Sequence, residues 1–129
     1  MDPVVLLDTH VLVWLDGAPS KLSKPARKAL SNAHRRLLAD ISLREVAAMS
    51  LRAVDFGDVA RWLESALAEF EIELVPIDAR IAARSVRVAQ NFHADPADQL
   101  IAATAIELDV PLITADERLR ASPAVRTIW

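Results

Sequence analysis

The sequence predicts an α/β domain built on a parallel sheet with helices on both faces. Three observations carry that prediction. Short apolar runs alternate with longer segments of helical periodicity. The first run, Val4–Leu7, is apolar throughout, as a strand buried on both faces requires. Finally, the 129 residues are 53% hydrophobic with a net charge of only -3, which suits a buried core and argues against disorder.

The elements follow in order. Val4–Leu7 is bounded by Pro3 and by Asp8-Thr9, and opens the sheet. His10–Leu15 reads as a short helix, and Gly17, Pro19 and Ser20 make a turn. Ser23 caps a helix over Lys24–Ser31 with Pro25 in its first turn. Leu37–Ala39 is the second strand. Ser42 then reads as a helix cap, and Glu45, three residues on, completes a capping-box spacing ahead of Val46–Met49. Asp58 caps a longer helix whose apolar positions Val59, Trp62, Leu63, Ala66, Leu67 and Phe70 share one stripe. Ile72–Val75 is the third strand, closed by Pro76. Asp78 caps a helix carrying Ile81, Ala82, Ser85, Val86 and Ala89. Pro96 starts the next, with Leu100, Ile101, Ala103, Thr104 and Leu108 along it. Pro111–Ile113 as a strand, Asp116–Arg120 as a short helix and Val125–Ile128 as a last strand complete the chain. With scattered prolines, no repeat and no linker, residues 1–129 are expected to form a single domain.

Composition excludes several chemistries. The chain has no cysteine, so disulfides, zinc ribbons, iron–sulfur clusters and thiol nucleophiles are out. Gly17 and Gly57 are the only glycines, too few for a phosphate-cradling loop. Fifteen Lys and Arg against eighteen Asp and Glu disfavour a basic DNA-binding domain. There is no basic leader and no long apolar run, so a cytoplasmic protein without membrane contact is expected.

The acid excess is the informative feature. In open parallel sheets, sites form beyond the carboxyl ends of the strands. Four acids fall there: Asp8 after the first strand, Glu45 after the second, Asp98 in the first turn behind Pro96, and Asp116 after the fourth strand. Each has a plainer reading as well. Glu45 fits a capping box, Asp98 a first-turn acid facing the helix dipole, and Asp116 a cap. Asp95, three residues before Asp98, is either an outer member of the group or a helix cap. If the four converge they repel one another, and a divalent cation removes that cost. Oxygen ligands without cysteine suit Mg²⁺ or Mn²⁺, which points to water-mediated attack on a phosphate ester.

The motifs carry a resemblance that spans the chain. Val4-Val5-Leu6-Leu7-Asp8-Thr9-His10-Val11-Leu12-Val13-Trp14 resembles the opening of PIN-domain toxins of the VapC family. Ser42-Leu43-Arg44-Glu45-Val46-Ala47 is similar to the family's second acidic motif. His93-Ala94-Asp95-Pro96-Ala97-Asp98-Gln99-Leu100-Ile101 resembles its third and Pro111-Leu112-Ile113-Thr114-Ala115-Asp116 its fourth. The resemblance implies a PIN-like three-layer α/β/α sandwich and a Mg²⁺- or Mn²⁺-dependent endoribonuclease. It also implies a homodimer and a small antitoxin partner (VapB-like) that wraps the toxin, giving a heterotetramer or larger assembly. It puts Asp8, Glu45, Asp98 and Asp116 in the acidic quartet, with Asp8, Asp98 and Asp116 as metal ligands and Thr9 and Thr114 in support. The implied products are 5′-phosphate and 3′-hydroxyl ends. The chain departs from the family's pattern at Arg44, at Ala48-Met49-Ser50 and at Glu117.

Twelve of the fifteen basic residues are Arg, the type suited to phosphate contact. Arg80, Arg84 and Arg87 share a helical stripe that reads as a solvated face or as an RNA contact, and Arg35, Arg36 and Arg44 flank the second strand and the helix after it. His10 is expected to pack under the site and His93 to lie in a loop, neither as an acid or base. Trp14 is expected in the core, Trp62 in the core or an interface, and Trp129 over a sheet edge. The alternatives are a PIN-type RNA-processing nuclease and a receiver-like phosphotransfer module. The second wants paired acids after the first strand and a late lysine, whereas Lys21, Lys24 and Lys28 all come early.

Overall fold

The computed structural model describes residues 3–92 and 94–129; His93, expected in a loop, lies outside them. Five strands form one sheet: β1 (Val4–Leu7), β2 (Arg35–Ala39), β3 (Ile72–Val75), β4 (Leu112–Ile113) and β5 (Thr127–Ile128). Their spatial order is β3-β2-β1-β4-β5, and every neighbouring pair is parallel. The expected parallel α/β sandwich is the one observed. Helices α1 (Thr9–Gly17), α2 (Lys24–Asn32), α3 (Ile41–Met49), α4 (Val59–Glu69), α5 (Ala79–Val88), α6 (Pro96–Leu108) and α7 (Glu117–Ala121) make the connections.

The pleat assigns the core. Successive strand residues point to opposite faces, and here both faces are covered. Val5, Leu7, Leu38 and Ile113 pack with Val11, Leu12, Ala26, Leu30 and Ala66 from α1, α2 and α4. Leu6, Leu37, Ala39 and Leu112 pack with Ile101, Ala102, Ala105 and Leu119 from α6 and α7. This explains why the first strand is apolar throughout: β1 is the middle strand, with helices above and below it.

The strand order also fixes where a site can form. The chain steps outward from β1 to β2 to β3, then returns across β1 to lay down β4 and β5. The direction therefore reverses between β1 and β4. Connections leave the carboxyl ends of these two strands toward opposite faces, and a crevice opens between them. Asp8 follows β1 and Thr114 follows β4, so both stand at its mouth.

The caps at Ser23, Asp58 and Asp78 form as expected, each side-chain oxygen accepting a bond from a backbone amide in the first turn. The last two strands are shorter than their apolar runs suggest, since β4 and β5 pair over only two residues each. Trp62 lies against the core as expected, and its indole Nε1 donates to Asp16 Oδ2 at 3.0 Å. Trp14 is half-buried on the same core, and Trp129, beyond the edge strand β5, packs against it with the rings tilted and their centroids 5.9 Å apart. Among the described residues, no helix is long and apolar enough to cross a membrane.

Candidate active site

The four sequence-chosen acids meet. Asp8, Glu45, Asp98 and Asp116 line one cleft of about 340 Å³ at the switch point, together with Asp95, His10, Trp14 and Ala115.

Asp8 leaves β1 and caps α1, where its Oδ1 accepts from the Thr9 amide at 2.8 Å. Its Oδ2 accepts from the Thr114 hydroxyl at 2.7 Å. The side chain is thus held from both banks of the crevice, and the residue is only 7% exposed. Thr114 Oγ1 in turn accepts from the Asp116 amide at 3.0 Å. One buried hydroxyl therefore ties the end of β1 to the turn after β4. Asp116 caps α7 through Oδ1, which accepts from the Arg118 and Leu119 amides. That leaves its Oδ2 outside the cap.

The hydroxyl of Thr9 plays the matching part on the other side. It donates to Glu45 Oε1 and lies 2.9 Å from Ser42 Oγ. A threonine has one proton to give, and an ionised Glu45 can only accept, so Ser42 must donate to Thr9. This corrects the capping-box reading of Ser42 and Glu45. α3 begins two residues earlier than a Ser42 cap implies, at Ile41 with Asp40 as its N-cap residue, and Ser42 is fully buried inside it. The local spacing was right, but a partner more than thirty residues away in sequence takes both side chains.

Asp95 stands with the quartet. Its Oδ1 caps α6, accepting from the Asp98 amide at 2.9 Å. Glu45, Asp95 and Asp98 each offer a carboxylate oxygen, and these three lie within 4.8 Å of one another. The sequence left Asp95 between cap and outer member; the structure makes it both. The signal was present in the Asp95-Pro96-Ala97-Asp98 spacing, which puts two acids on one helical turn.

The crowding has an electrostatic consequence. Burial pushes the Asp98 carboxyl up to about 7, with help from the nearby charges of Asp95, Asp8, Glu45 and Asp116. Burial also raises Asp8, against the pull of the Thr114 hydroxyl and the Thr9 amide. Glu45 is raised by burial first and by Asp95 and Asp8 after it, against the Thr9 hydroxyl bond. Carboxylates gathered at such cost are compatible with a hard divalent cation.

His10 corrects a second expectation. It is exposed rather than packed beneath the site, because Val11 and Leu12 take the core positions of α1. His10 and Trp14, one turn apart, form a cleft wall with ring centroids 5.7 Å apart. The basic groups divide as well. Arg35 and Arg36 sit at the amino end of β2, away from the cleft, bonded to Glu73 and to the Leu30 and Phe70 carbonyls. Arg84 of the α5 stripe pairs with Glu107 at 2.9 Å. Glu107 lies nine residues along α6 from Asp98, roughly 14 Å down the helix axis.

The role of Thr114 is directly testable. Thr114→Val removes both bonds and leaves a buried carboxylate oxygen and an amide unpaired. An unfolding titration in urea is expected to show a loss of about 1–3 kcal/mol. Thr114→Ser, which keeps the hydroxyl, is expected to retain most of the stability; equal losses for both would mean that the methyl group, not the hydrogen bonds, matters.

Comparison with known proteins bears on this geometry. The PIN domain family model matches residues 5–124. Ribonuclease VapC22 of Mycobacterium tuberculosis is 40% identical over 129 residues, covering 97% of this chain and 98% of that one. Among solved structures, VapBC-1 from nontypeable Haemophilus influenzae superposes with a TM-score of 0.74 at 16% identity, covering 96% of each chain. A toxin–antitoxin complex from Klebsiella pneumoniae gives 0.68 at 24% identity, covering 94% of each chain. At these identities the two structures speak for the fold.

Proposed function

This chain belongs to the PIN domain family, and from that premise we propose that it is a metal-dependent endoribonuclease acting as the toxin of a toxin–antitoxin pair. The observation that carries the reading is the convergence of Asp8, Glu45, Asp95, Asp98 and Asp116 on one cleft at the switch point of the sheet. The relative named as a ribonuclease, matched along nearly its whole length, supports the substrate class.

The proposed roles follow from the contacts. Asp8, Glu45, Asp98 and Asp116 are the catalytic carboxylates. Asp8, Asp98 and Asp116 would hold Mg²⁺ or Mn²⁺, and Asp95 extends that set, since its carboxylate joins those of Glu45 and Asp98. When bound, the cation supplies charge neutralisation, acidification of water and stabilisation of the leaving 3′ oxygen. Glu45 orients the attacking water and takes its proton. Its raised affinity for protons makes it a better acceptor near neutrality than an ordinary surface glutamate. Thr9 fixes the Glu45 carboxylate, and Thr114 fixes that of Asp8. Both hydroxyls are buried, so they hold the acids in place without reorganisation by solvent.

The partners proposed are an RNA substrate, a second copy of this chain, and a small VapB-like antitoxin that covers the acidic cleft in a heterotetramer or larger complex. The deciding assay incubates the purified chain with single-stranded RNA in Mg²⁺, in Mn²⁺ and in EDTA. Fragments with 5′-phosphate and 3′-hydroxyl ends are expected with either cation and none in EDTA. Cleavage that persists in EDTA, or no cleavage with either ion, would overturn the reading.

A further inference from the structure

We propose that the groove on the α3 side of the acidic cleft holds the RNA strand next to the scissile phosphate, with Arg44 and Arg52 gripping its backbone phosphates. This rests on the ribonuclease reading and adds the path of the substrate to it.

The groove measures about 790 Å³ and is continuous with the cleft, since His10, Glu45 and Asp95 line both. One wall carries Arg44, Ala48 and Arg52; Pro96 and Ala97 face them from the start of α6. Arg44, Ala48 and Arg52 are spaced four apart. The chain keeps winding beyond the end of α3, with the Ser50 amide bonded to Val46 and the Arg52 amide to Met49. The three side chains therefore stay on one side, and the two arginines stand roughly 12 Å apart along the axis.

Charge selects the occupant. The cleft gathers five carboxylates and the whole chain carries -3, so neither attracts a polyanion. A phosphodiester strand needs positive groups close beside the cleft to offset that repulsion. Both arginines are exposed, and among the described residues neither has an ion-pair partner, whereas Arg35, Arg84 and Arg126 each bind a carboxylate. A guanidinium fork matches two phosphate oxygens. Between the arginines lie Ala48 and Met49, with Pro96 and Ala97 opposite, an apolar stretch with no strong hydrogen-bonding side chain. Such a stretch takes sugar and base faces of any sequence, so the groove positions the strand without reading it. Of the arginines that the sequence singles out, only Arg44 lines it; the stripe on α5 opens a separate hollow with Glu107.

The test uses a fluorescein-labelled short single-stranded RNA, bound in EDTA over a series of salt concentrations and followed by anisotropy. Arg44→Ala and Arg52→Ala are each expected to weaken binding about tenfold. Each should also flatten the slope of log affinity against log salt by about 0.7, the share of one phosphate contact on a single strand. With Mg²⁺ the double variant should show a raised KM and an unchanged kcat. Arg80→Ala with Arg87→Ala serves as control and should alter neither, and unchanged melting temperatures establish that all variants fold. Unchanged affinity and salt slope in the Arg44/Arg52 double variant overturn the groove assignment, even if the enzyme cuts RNA normally. So does a double variant that binds RNA normally but loses the antitoxin, which would give the groove to a protein partner. Wild-type protein that neither binds nor cuts RNA overturns the ribonuclease reading, and the groove with it.

Discussion

Asp8→Asn is expected to lower metal-dependent RNA cleavage by about 100- to 1,000-fold while leaving the chain folded. The substitution changes charge and one atom type but hardly changes shape. The amide oxygen of Asn can still accept from the Thr9 amide, so the cap of α1 survives. The other position, now an amide nitrogen, no longer accepts from the Thr114 hydroxyl. Thr114 can accept from it instead, alongside the Asp116 amide, at a cost of about 1 kcal/mol for the displaced proton. Against that cost stands the relief of no longer burying a charge, the cause that raises the Asp8 carboxyl in the first place. Stability should therefore move little, and the effect should fall on the chemistry. The measurement pairs a melting curve with initial cleavage rates in Mg²⁺. A folded variant that cuts at the wild-type rate would remove Asp8 from the site, and with it the central member of the cluster.

The elements were largely legible in the sequence, and their convergence was not. Val4–Leu7 announced a strand buried on both faces, because such burial demands an uninterrupted apolar run. Pro96 marked the start of α6, and Asp95 marked its cap, because both act within one turn. The pairing of Thr9 with Glu45 and of Thr114 with Asp8 left no local trace, since each spans a gap that only the strand order closes. The same limit explains Ser42. Its spacing to Glu45 satisfied a local motif, and a tertiary hydrogen bond displaced it. His10 was misplaced for a different reason. Once the helix is taken to begin at Thr9, Val11 and Leu12 claim the core, and positions 10 and 14 are left facing the cleft. Arg52 went unnoticed because it lies past the end of α3, where sequence alone gives no reason to extend the winding.

Asp98→Asn is expected to stabilise the metal-free protein, and by more as the pH rises. The carboxyl of Asp98 sits at about 7 in the folded chain, against an ordinary value of 3.8. Between those limits the folded state holds a proton that the unfolded state has released. Stability therefore falls as pH climbs through that window, and the full penalty is present above about 7. Asn carries no such proton. The melting temperature of the variant relative to wild type should rise from about pH 4 to about pH 7 and level off beyond. Asp98 is only partly buried and solvent screens it, so the gain is on the order of 1–2 kcal/mol, several degrees in Tm. A divalent cation should reverse the ranking. Mg²⁺ favours the ionised carboxylates, so it should raise the wild-type Tm more at pH 8 than at pH 5, and should raise that of the variant less. A difference between variant and wild type that ignores both pH and Mg²⁺ would mean that Asp98 is an ordinary first-turn acid. If both dependences appear, the burial and neighbouring charge that raise the Asp98 carboxyl are also what the cation offsets when it binds. In that case Asp98 contributes to cation affinity through the cost that its ionisation adds to the metal-free fold, and a variant selected only for stability would lose the ion first.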